Sequence, residues 1–331
     1  MTDQGPTIAL MEPFDPKLIS EFRDALPQGS VIIEQADAGA SLSNATYLVT
    51  WKTDIDQASL DAAPRLQGVV KLDSGPGAIS AEECARRGLK VFRATSPGLI
   101  SVAEHTVMLI LAVFKRLGTA ISRTRAGEVT PGVVPKLTNQ DDYSYNWVGL
   151  EKFEAVHGKT IGLIGLGRIG QEVATRMKAF QTEVVYTKRN PLAASEERDL
   201  GVRFLPFDEL LAASHCVSLH NRFDDTNERM MEEREFGLMP PGSFFVNTAR
   251  GRLVDENALC AALTSNHLAG AALDVFWHEP PLADSPLWNA PNLIMTPHTG
   301  GIPLAVTLAE ELGKAASFIS ADWHETSGAR T

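Results

Sequence analysis

The sequence predicts an α/β protein with parallel sheets, divided between two domains. Three observations lead there. The chain has 331 residues, which at roughly 150 residues per domain makes two. Short apolar runs alternate with helical patterns along most of its length, the rhythm of strands joined by crossover helices. One of those runs, Thr160 to Ile164, passes directly into a glycine-rich turn that opens a helix, as a parallel strand does where it hands over to its crossover.

In chain order, strands are read at Thr7 to Leu10, Val31 to Glu34, Thr46 to Thr50, Gly68 to Leu72 and Lys90 to Phe92. Ser80-Ala81-Glu82-Glu83 is a capping box whose helix runs to Gly88, a suitable C-cap. Ser101-Val102-Ala103-Glu104 is a second capping box. Its helix carries Lys115 and Arg116 in the last turn and stops at Gly118, about 24 Å long and able to reach from one domain to the next. Residues from about Thr119 to His157 mix Gly, Pro, Asn and Asp with aromatics and show no period, which reads as a long surface arm. Strands resume at Thr160 to Ile164, Glu183 to Thr187, Val217 to Leu219, Ser243 to Val246, Gly270 to Leu273 and Leu293 to Met295, and a final helical pattern runs from Ala305 to about Trp323.

Composition narrows the function. At 44% hydrophobic and 21% charged residues, the chain is ordinary globular material. A formal net charge of -11 has the wrong sign for a surface that tracks nucleic-acid phosphates or anionic lipid, so neither is an expected partner. Cys84, Cys216 and Cys260 form no CxxC pair, so neither a disulfide framework nor a metal site is expected. Met1-Thr2-Asp3-Gln4 lacks the regions of a signal peptide, and the apolar run Val107 to Phe114 is too short to span a bilayer. The expected location is cytoplasmic.

Gly165-Leu166-Gly167-Arg168-Ile169-Gly170 follows its strand and leads a helix with apolar positions at Ile169, Val173, Met177 and Phe180. A bare Gly-x-Gly-x-x-Gly is a weak signal, because glycines in such a turn can serve packing alone. Set between strand and helix, it reads as a dinucleotide fingerprint, with the pyrophosphate on the positive helix end. An NAD site would add an Asp or Glu at the end of the next strand, bonded to the ribose. That strand ends in Thr187-Lys188-Arg189-Asn190. Lys188 and Arg189 would neutralise a 2′-phosphate, so NADP is the preferred cofactor and NAD the second choice. The plainer reading is a solvated turn that happens to be basic.

Four later strands finish on polar residues: His220-Asn221, Asn247-Thr248-Ala249-Arg250-Gly251, Asp274, and Thr296-Pro297-His298-Thr299-Gly300-Gly301. Ligands of open parallel sheets bind outside the carboxyl ends of the strands, so these residues should converge on one cleft. Arg250, Glu279 and His298 divide the labour of catalysis. Arg250 offers a planar fork for a carboxylate and can polarise an adjacent carbonyl. His298 can deliver a proton to that carbonyl oxygen, and a bonded Glu279 would favour the imidazolium. The set suits a 2-keto acid. Glu279 alone could be a turn residue and Asp274 alone an N-cap. His105, His157, His215, His220, His267, His278 and His324 belong to no comparable set and read as surface or packing residues.

With these motifs in order, the chain resembles the D-isomer-specific 2-hydroxyacid dehydrogenase family from about Ala45 to Val306. The match also takes in Ser74-Gly75-Pro76-Gly77, Ser101 to His105, Gly158 to Gly170 and Leu273 to Pro280. The resemblance implies two Rossmann-like domains with substrate in the cleft between them. A flavodoxin-like substrate domain would comprise residues 1–100 and 297–331, and a dinucleotide-binding domain 101–296. By the same resemblance Arg250 binds the substrate carboxylate and keto oxygen, His298 is the acid/base, Glu279 is its partner, and the Ser74 to Gly77 amides hold the substrate carboxylate. Asp274 would hold the nicotinamide carboxamide, and Arg168 and Ile169 the pyrophosphate. Gly165, Gly167, Gly170, Lys188, Arg189, His220, Asn221, Thr248, Ala249 and Gly300, with Arg250 and His298 from the catalytic set, complete the expected cofactor lining. The family is usually homodimeric through the helix from Ser101 and the segment after it. Lys188-Arg189 resembles the NADPH-preferring glyoxylate and hydroxypyruvate reductase branch, so hydride transfer between NADP(H) and a small 2-keto or D-2-hydroxy acid is the expected function. A dinucleotide-sensing regulator of corepressor type is the alternative, and Glu279 argues against formate as substrate.

Two segments depart from the family pattern. His220-Asn221-Arg222-Phe223-Asp224-Asp225-Thr226-Asn227 replaces a proline-containing loop beside the cofactor, and the stretch from Arg125 to His157 is long. The absence of a regulatory domain after Thr331 argues against the large allosteric phosphoglycerate dehydrogenases.

Overall fold

The computed structural model describes residues 5–34, 42–75 and 77–328. The chain divides into two units, one made of Met1–Leu99 with Ile302–Thr331 and the other of Ile100–Gly301. The second crossing, expected between 296 and 297, falls after Gly301, because Thr299 and Gly300 are hydrogen-bonded to Asp274 of the second unit.

In the first unit β1 (Thr7–Leu10), β2 (Val31–Glu34), β3 (Tyr47–Thr50), β4 (Gly68–Leu72) and β5 (Lys90–Ala94) form one parallel sheet. Its order, β2-β1-β3-β4-β5, is that of a flavodoxin-like sheet. Side chains alternate between its faces, as the strand period requires. Ile8, Leu10, Tyr47, Val49 and Val70 pack with α1 (Pro16–Asp24) and the final helix, Leu304–Gly328. Ala9, Leu48 and Val69 pack on the other face with α2 (Gln57–Asp61) and α3 (Ala81–Arg86). Local sequence sets where α1 begins: Asp15 accepts the Lys17 N–H (2.8 Å) and Pro16 takes the first helical position, where its missing N–H costs nothing.

The second unit opens with α4 (Pro97–Phe114), α5 (Leu117–Arg125) and the surface arm, and then builds a seven-stranded parallel sheet. The strands are β6 (Thr160–Ile164), β7 (Glu183–Thr187), β8 (Val202–Phe204), β9 (Cys216–Leu219), β10 (Ser243–Asn247), β11 (Leu268–Leu273) and β12 (Leu293–Met295). The order β12-β11-β10-β9-β6-β7-β8 is the Rossmann arrangement with one further edge strand. Both faces are covered, as parallel sheets need. α4 and α6 (Arg168–Ala179) lie on one face with Ile161, Leu163 and Phe244. α8 (Phe207–Ala213) and α10 (Glu256–Thr264) lie on the other with Val217 and Phe245. α7 (Ala194–Leu200) and α9 (Glu233–Leu238) complete the crossovers.

α4 departs from expectation at both ends. It starts at Pro97, and Ser101 donates its hydroxyl to the Gly300 carbonyl (2.8 Å) rather than capping. It stops at Phe114, because Arg116 turns left-handed (φ 54°) with its guanidinium held by the Ala269 carbonyl and Asn292. By length and composition α4 could cross a membrane. It is instead a core helix, with Ala103, Thr106, Val107, Leu109, Ile110, Val113 and Phe114 buried.

Phe244 is buried with its ring centroid 4.5 Å from that of Phe114. Phe244→Ala is expected to lower the unfolding free energy in urea by about 3–5 kcal/mol, whereas Val134→Ala in the exposed arm should stay within about 0.5 kcal/mol of the parent.

Candidate active site

β6 delivers the chain into the glycine turn and α6, and the three glycines there do different work. Gly165 has φ 95°, and a Cβ on it would lie 2.7 Å from the Asn221 nitrogen. A Cβ on Gly170 would lie 2.6 Å from the Gly165 carbonyl oxygen. Packing therefore demands both. Gly167 is the N-cap of α6, and a Cβ on it would meet nothing within 4 Å, which leaves the positive end of the helix open to an anion. Arg168 and Ile169 form the first turn, Arg168 exposed.

Asn221 gives its Nδ2 to the Met230 sulfur (3.0 Å), while its Oδ1 is buried with no donor among the described residues. Thr187 accepts the Gly165 N–H (2.9 Å), so Lys188 and Arg189 follow directly beside the turn. Asp224 lies near them: its carboxyl is held below the usual range by the Thr226 hydroxyl and amide and, further off, by Arg189. His220 donates its backbone N–H to the Ile164 carbonyl (2.8 Å), and its Nε2 lies 3.0 Å from the Ser218 hydroxyl. Burial pushes the His220 imidazole down to about 4, so it is neutral near pH 7 and brings no charge to the turn. An uncovered helix end, an acceptor without a donor and two adjacent cations fit a dinucleotide.

The second group of residues stands at the ends of β10, β11 and β12. Asn247, fully buried, accepts the Ala249 N–H (2.9 Å) and donates to the Arg250 carbonyl (2.9 Å), which shapes the turn that presents Arg250 to solvent. Thr248 is fixed from the side by the Thr106 hydroxyl at 2.8 Å. A Cβ on Gly251 would lie 2.0 Å from the Phe276 carbonyl carbon. Only glycine lets this turn lie against the segment that carries Glu279. Phe276 in turn donates its N–H to Glu279 Oε1 (3.1 Å), and Glu279 Oε2 lies 2.6 Å from His298 Nδ1. Glu279 and His298 are thus one hydrogen-bonded pair, each partly exposed to solvent.

Asp274, expected on a cofactor carboxamide, has both oxygens turned to the His298 loop. Oδ1 accepts the Thr296 hydroxyl (2.6 Å) and the Thr299 N–H (2.9 Å), and Oδ2 accepts the Gly300 N–H (2.9 Å). His105, read from sequence as a surface or packing residue, joins this group: its Nε2 lies 3.0 Å from Thr296 Oγ1 and 3.3 Å from Asp274 Oδ1. The sequence signal for it was Ser101 and His105, four residues apart on one helix face and both polar in an apolar run. Beside the pair, Phe276, Pro280, Pro281, Trp288, Met295 and Pro297 line an open chamber of about 430 Å³ to which Glu279 and His298 also contribute.

The expected carboxylate loop belongs to the first unit, and Pro76 lies outside the described residues. Of its neighbours, Ser74 gives its N–H (2.8 Å) and hydroxyl (2.5 Å) to Glu311 of the final helix. The Gly75 N–H goes to the Leu72 carbonyl (3.2 Å) and the Gly77 N–H to that of Trp51 (3.1 Å). Lys71, buried, caps the Trp51, Leu72 and Gly75 carbonyls. These amides already have acceptors within the unit. Glu311 lies 237 positions from Ser74, too far for any local pattern to connect the two.

The chain is similar to known proteins over most of its length. Residues 107–300 match the model of the D-isomer specific 2-hydroxyacid dehydrogenase, NAD binding domain. A glyoxylate reductase of Thermococcus gammatolerans is 36% identical over 292 residues, which cover 88% of this chain and 81% of that protein. A second, from Thermococcus litoralis, is 35% identical over 256 residues, covering 76% and 73%. Among solved structures, apo D-mandelate dehydrogenase of Rhodotorula graminis shares the fold with a TM-score of 0.63 at 23% identity, covering 95% of this chain and 92% of that one.

Two outcomes follow from the geometry. Gly251→Ala forces the Phe276 backbone aside and should destabilise the chain by about 1–3 kcal/mol in chemical denaturation. As pH falls from 6.5 towards about 4, the unfolded chain protonates His220 while the folded chain does not. Stability should therefore fall across that window by up to about 1.4 kcal/mol per pH unit from this group. His220→Asn should flatten that part of the curve, read from urea midpoints at successive pH values.

Proposed function

The chain belongs to the D-isomer-specific 2-hydroxyacid dehydrogenase family, NAD(P)-linked oxidoreductases of CH–OH groups, and from that premise we propose that it reduces a small 2-keto acid with NADPH. The observation that carries this reading is the 2.6 Å bond between Glu279 and His298 Nδ1. It leaves Nε2 as the atom that gives a proton to the substrate's C2 oxygen in reduction and takes it back in oxidation. Glu279 holds the ring in that tautomer and offsets the positive charge of the imidazolium. Arg250, on a turn shaped by Asn247, offers its fork to the substrate carboxylate and keto oxygen. The cofactor, when bound, supplies or accepts the hydride at C2. Gly167 and the end of α6 would hold its pyrophosphate, Lys188 and Arg189 its 2′-phosphate, and Asn221 Oδ1 a donor on its nucleoside.

Glyoxylate and hydroxypyruvate are the substrates the reading names first, supported by the two Thermococcus relatives named glyoxylate reductase. The apolar chamber beside the catalytic pair favours a second reading, in which the substituent on C2 is apolar and larger. The flavodoxin-like unit would be the substrate domain and the Rossmann unit the cofactor domain. A homodimer in the cytoplasm completes the proposal, and the three free cysteines suit a reducing compartment.

NADPH oxidation followed with a panel of 2-keto acids tests the reading; no turnover with any of them, in the presence of bound cofactor, would refute it. His298→Gln should lower kcat by about 10²–10⁴-fold while leaving NADPH affinity near that of the parent. Replacing Lys188 and Arg189 together by Ser should remove about 1.5–3 kcal/mol of charge-assisted bonding, roughly 10- to 100-fold in KM for NADPH, with little change for NADH. Equal effects on both cofactors would count against a 2′-phosphate site.

A further inference from the structure

We propose that His105 is a positioning residue for His298, acting through Thr296 and Asp274. The inference rests on the reading of His298 as the proton donor. The hydrogens assign the roles. Thr296 has one hydroxyl proton, and it goes to Asp274 Oδ1 at 2.6 Å. Towards His105, 3.0 Å away, the same oxygen can only accept. His105 therefore carries its proton on Nε2 and donates it to Thr296, with Asp274 Oδ1 within 3.3 Å.

Asp274 is buried, and an ionised carboxylate is stable there only while donors surround it. Those donors come from both sides of His298: Thr296 before it, Thr299 and Gly300 after it. His298 itself sits at φ 54°, a left-handed conformation that a residue with a side chain adopts at a cost. Its N–H closes a tight turn onto the Thr296 carbonyl (3.0 Å). The grip on each side holds it there. A Cβ on Gly300 would lie 2.9 Å from Asp274 Oδ2 and 3.3 Å from His105 Cδ2, so the glycine makes room for both groups.

His105 also ties this loop to a rigid element. Along α4, Ser101 bonds the Gly300 carbonyl, His105 bonds Thr296, and Thr106 bonds Thr248 in the turn that presents Arg250. One buried helix thereby sets the places of the Arg250 turn and the His298 loop together. Asp274 lies within ion-pair distance of His105, and Glu279 within ion-pair distance of His298.

The test compares His105→Leu with His105→Gln, whose side-chain amide can reach the same hydroxyl. His105→Leu should lower kcat with NADPH and a 2-keto acid by about 10- to 100-fold, with KM for NADPH nearly unchanged. His105→Gln should restore most of the rate. A second readout needs no substrate: in proton NMR, the His298 Nδ1–H signal set by the Glu279 bond should broaden or shift in His105→Leu and persist in His105→Gln. An unchanged kcat and an unchanged signal in His105→Leu would overturn the proposal. So would a raised KM for NADPH at constant kcat, which would make His105 a cofactor contact. If the parent reduces no 2-keto acid, the proposed function fails and the NMR comparison still decides the role of His105. If His105→Leu does not fold, His105→Asn, too short to reach Thr296, takes its place against His105→Gln.

Discussion

A carboxylate buried at the end of a strand orders the candidate active-site end of the second unit. Asp274 leaves β11 with almost no access to water, so it must gather hydrogen-bond donors. The donors within reach are the hydroxyl and amides of the loop that follows β12. Satisfying the anion and placing the histidine are the same event. The neighbouring turn after β10 obeys a similar constraint, with Asn247 supplying the side-chain amide that its backbone needs.

Both sheets are covered on both faces, so polar chemistry has room only where strands end. That is why so much of the architecture was legible in the sequence. Apolar runs such as Thr160 to Ile164 and Gly68 to Leu72 read as strands because both neighbours in sequence are buried, on opposite faces. The residues just past them read as functional because nothing in the core requires Arg250, Glu279 or His298. β8 escaped notice, being three residues long with an exposed centre, Arg203. The start of α4 was misread because Ser101 and Glu104 satisfy the pattern of a cap, while the serine hydroxyl had a tertiary partner no local pattern can reveal.

The site was legible in its charged members and opaque in its supports. Glu279 and His298 stand out as residue types, and their contact is as their chemistry requires. His105 looked like a surface or packing residue because its partners, Thr296 and Asp274, lie more than 160 positions away. The glycines were recognised as a set, but only the backbone separates Gly165 and Gly170, which packing requires, from Gly167, which faces open space. Ser74 was read as a donor to a bound carboxylate; the carboxylate it meets belongs to Glu311.

The final helix packs on the first sheet, against α1 and strands made from the opening residues. Tyr47 and Lys90 both bond Asp322, near its end. A ribosome therefore finishes the entire second unit before it releases the segment that covers one face of the first. During synthesis that face of the first sheet has α1 alone over it and lacks the cover of the final helix, while Ile100–Gly301 can already close its own core. The unit that begins first is completed last, and its unfinished sheet is the surface that a folding chaperone would meet on the nascent chain.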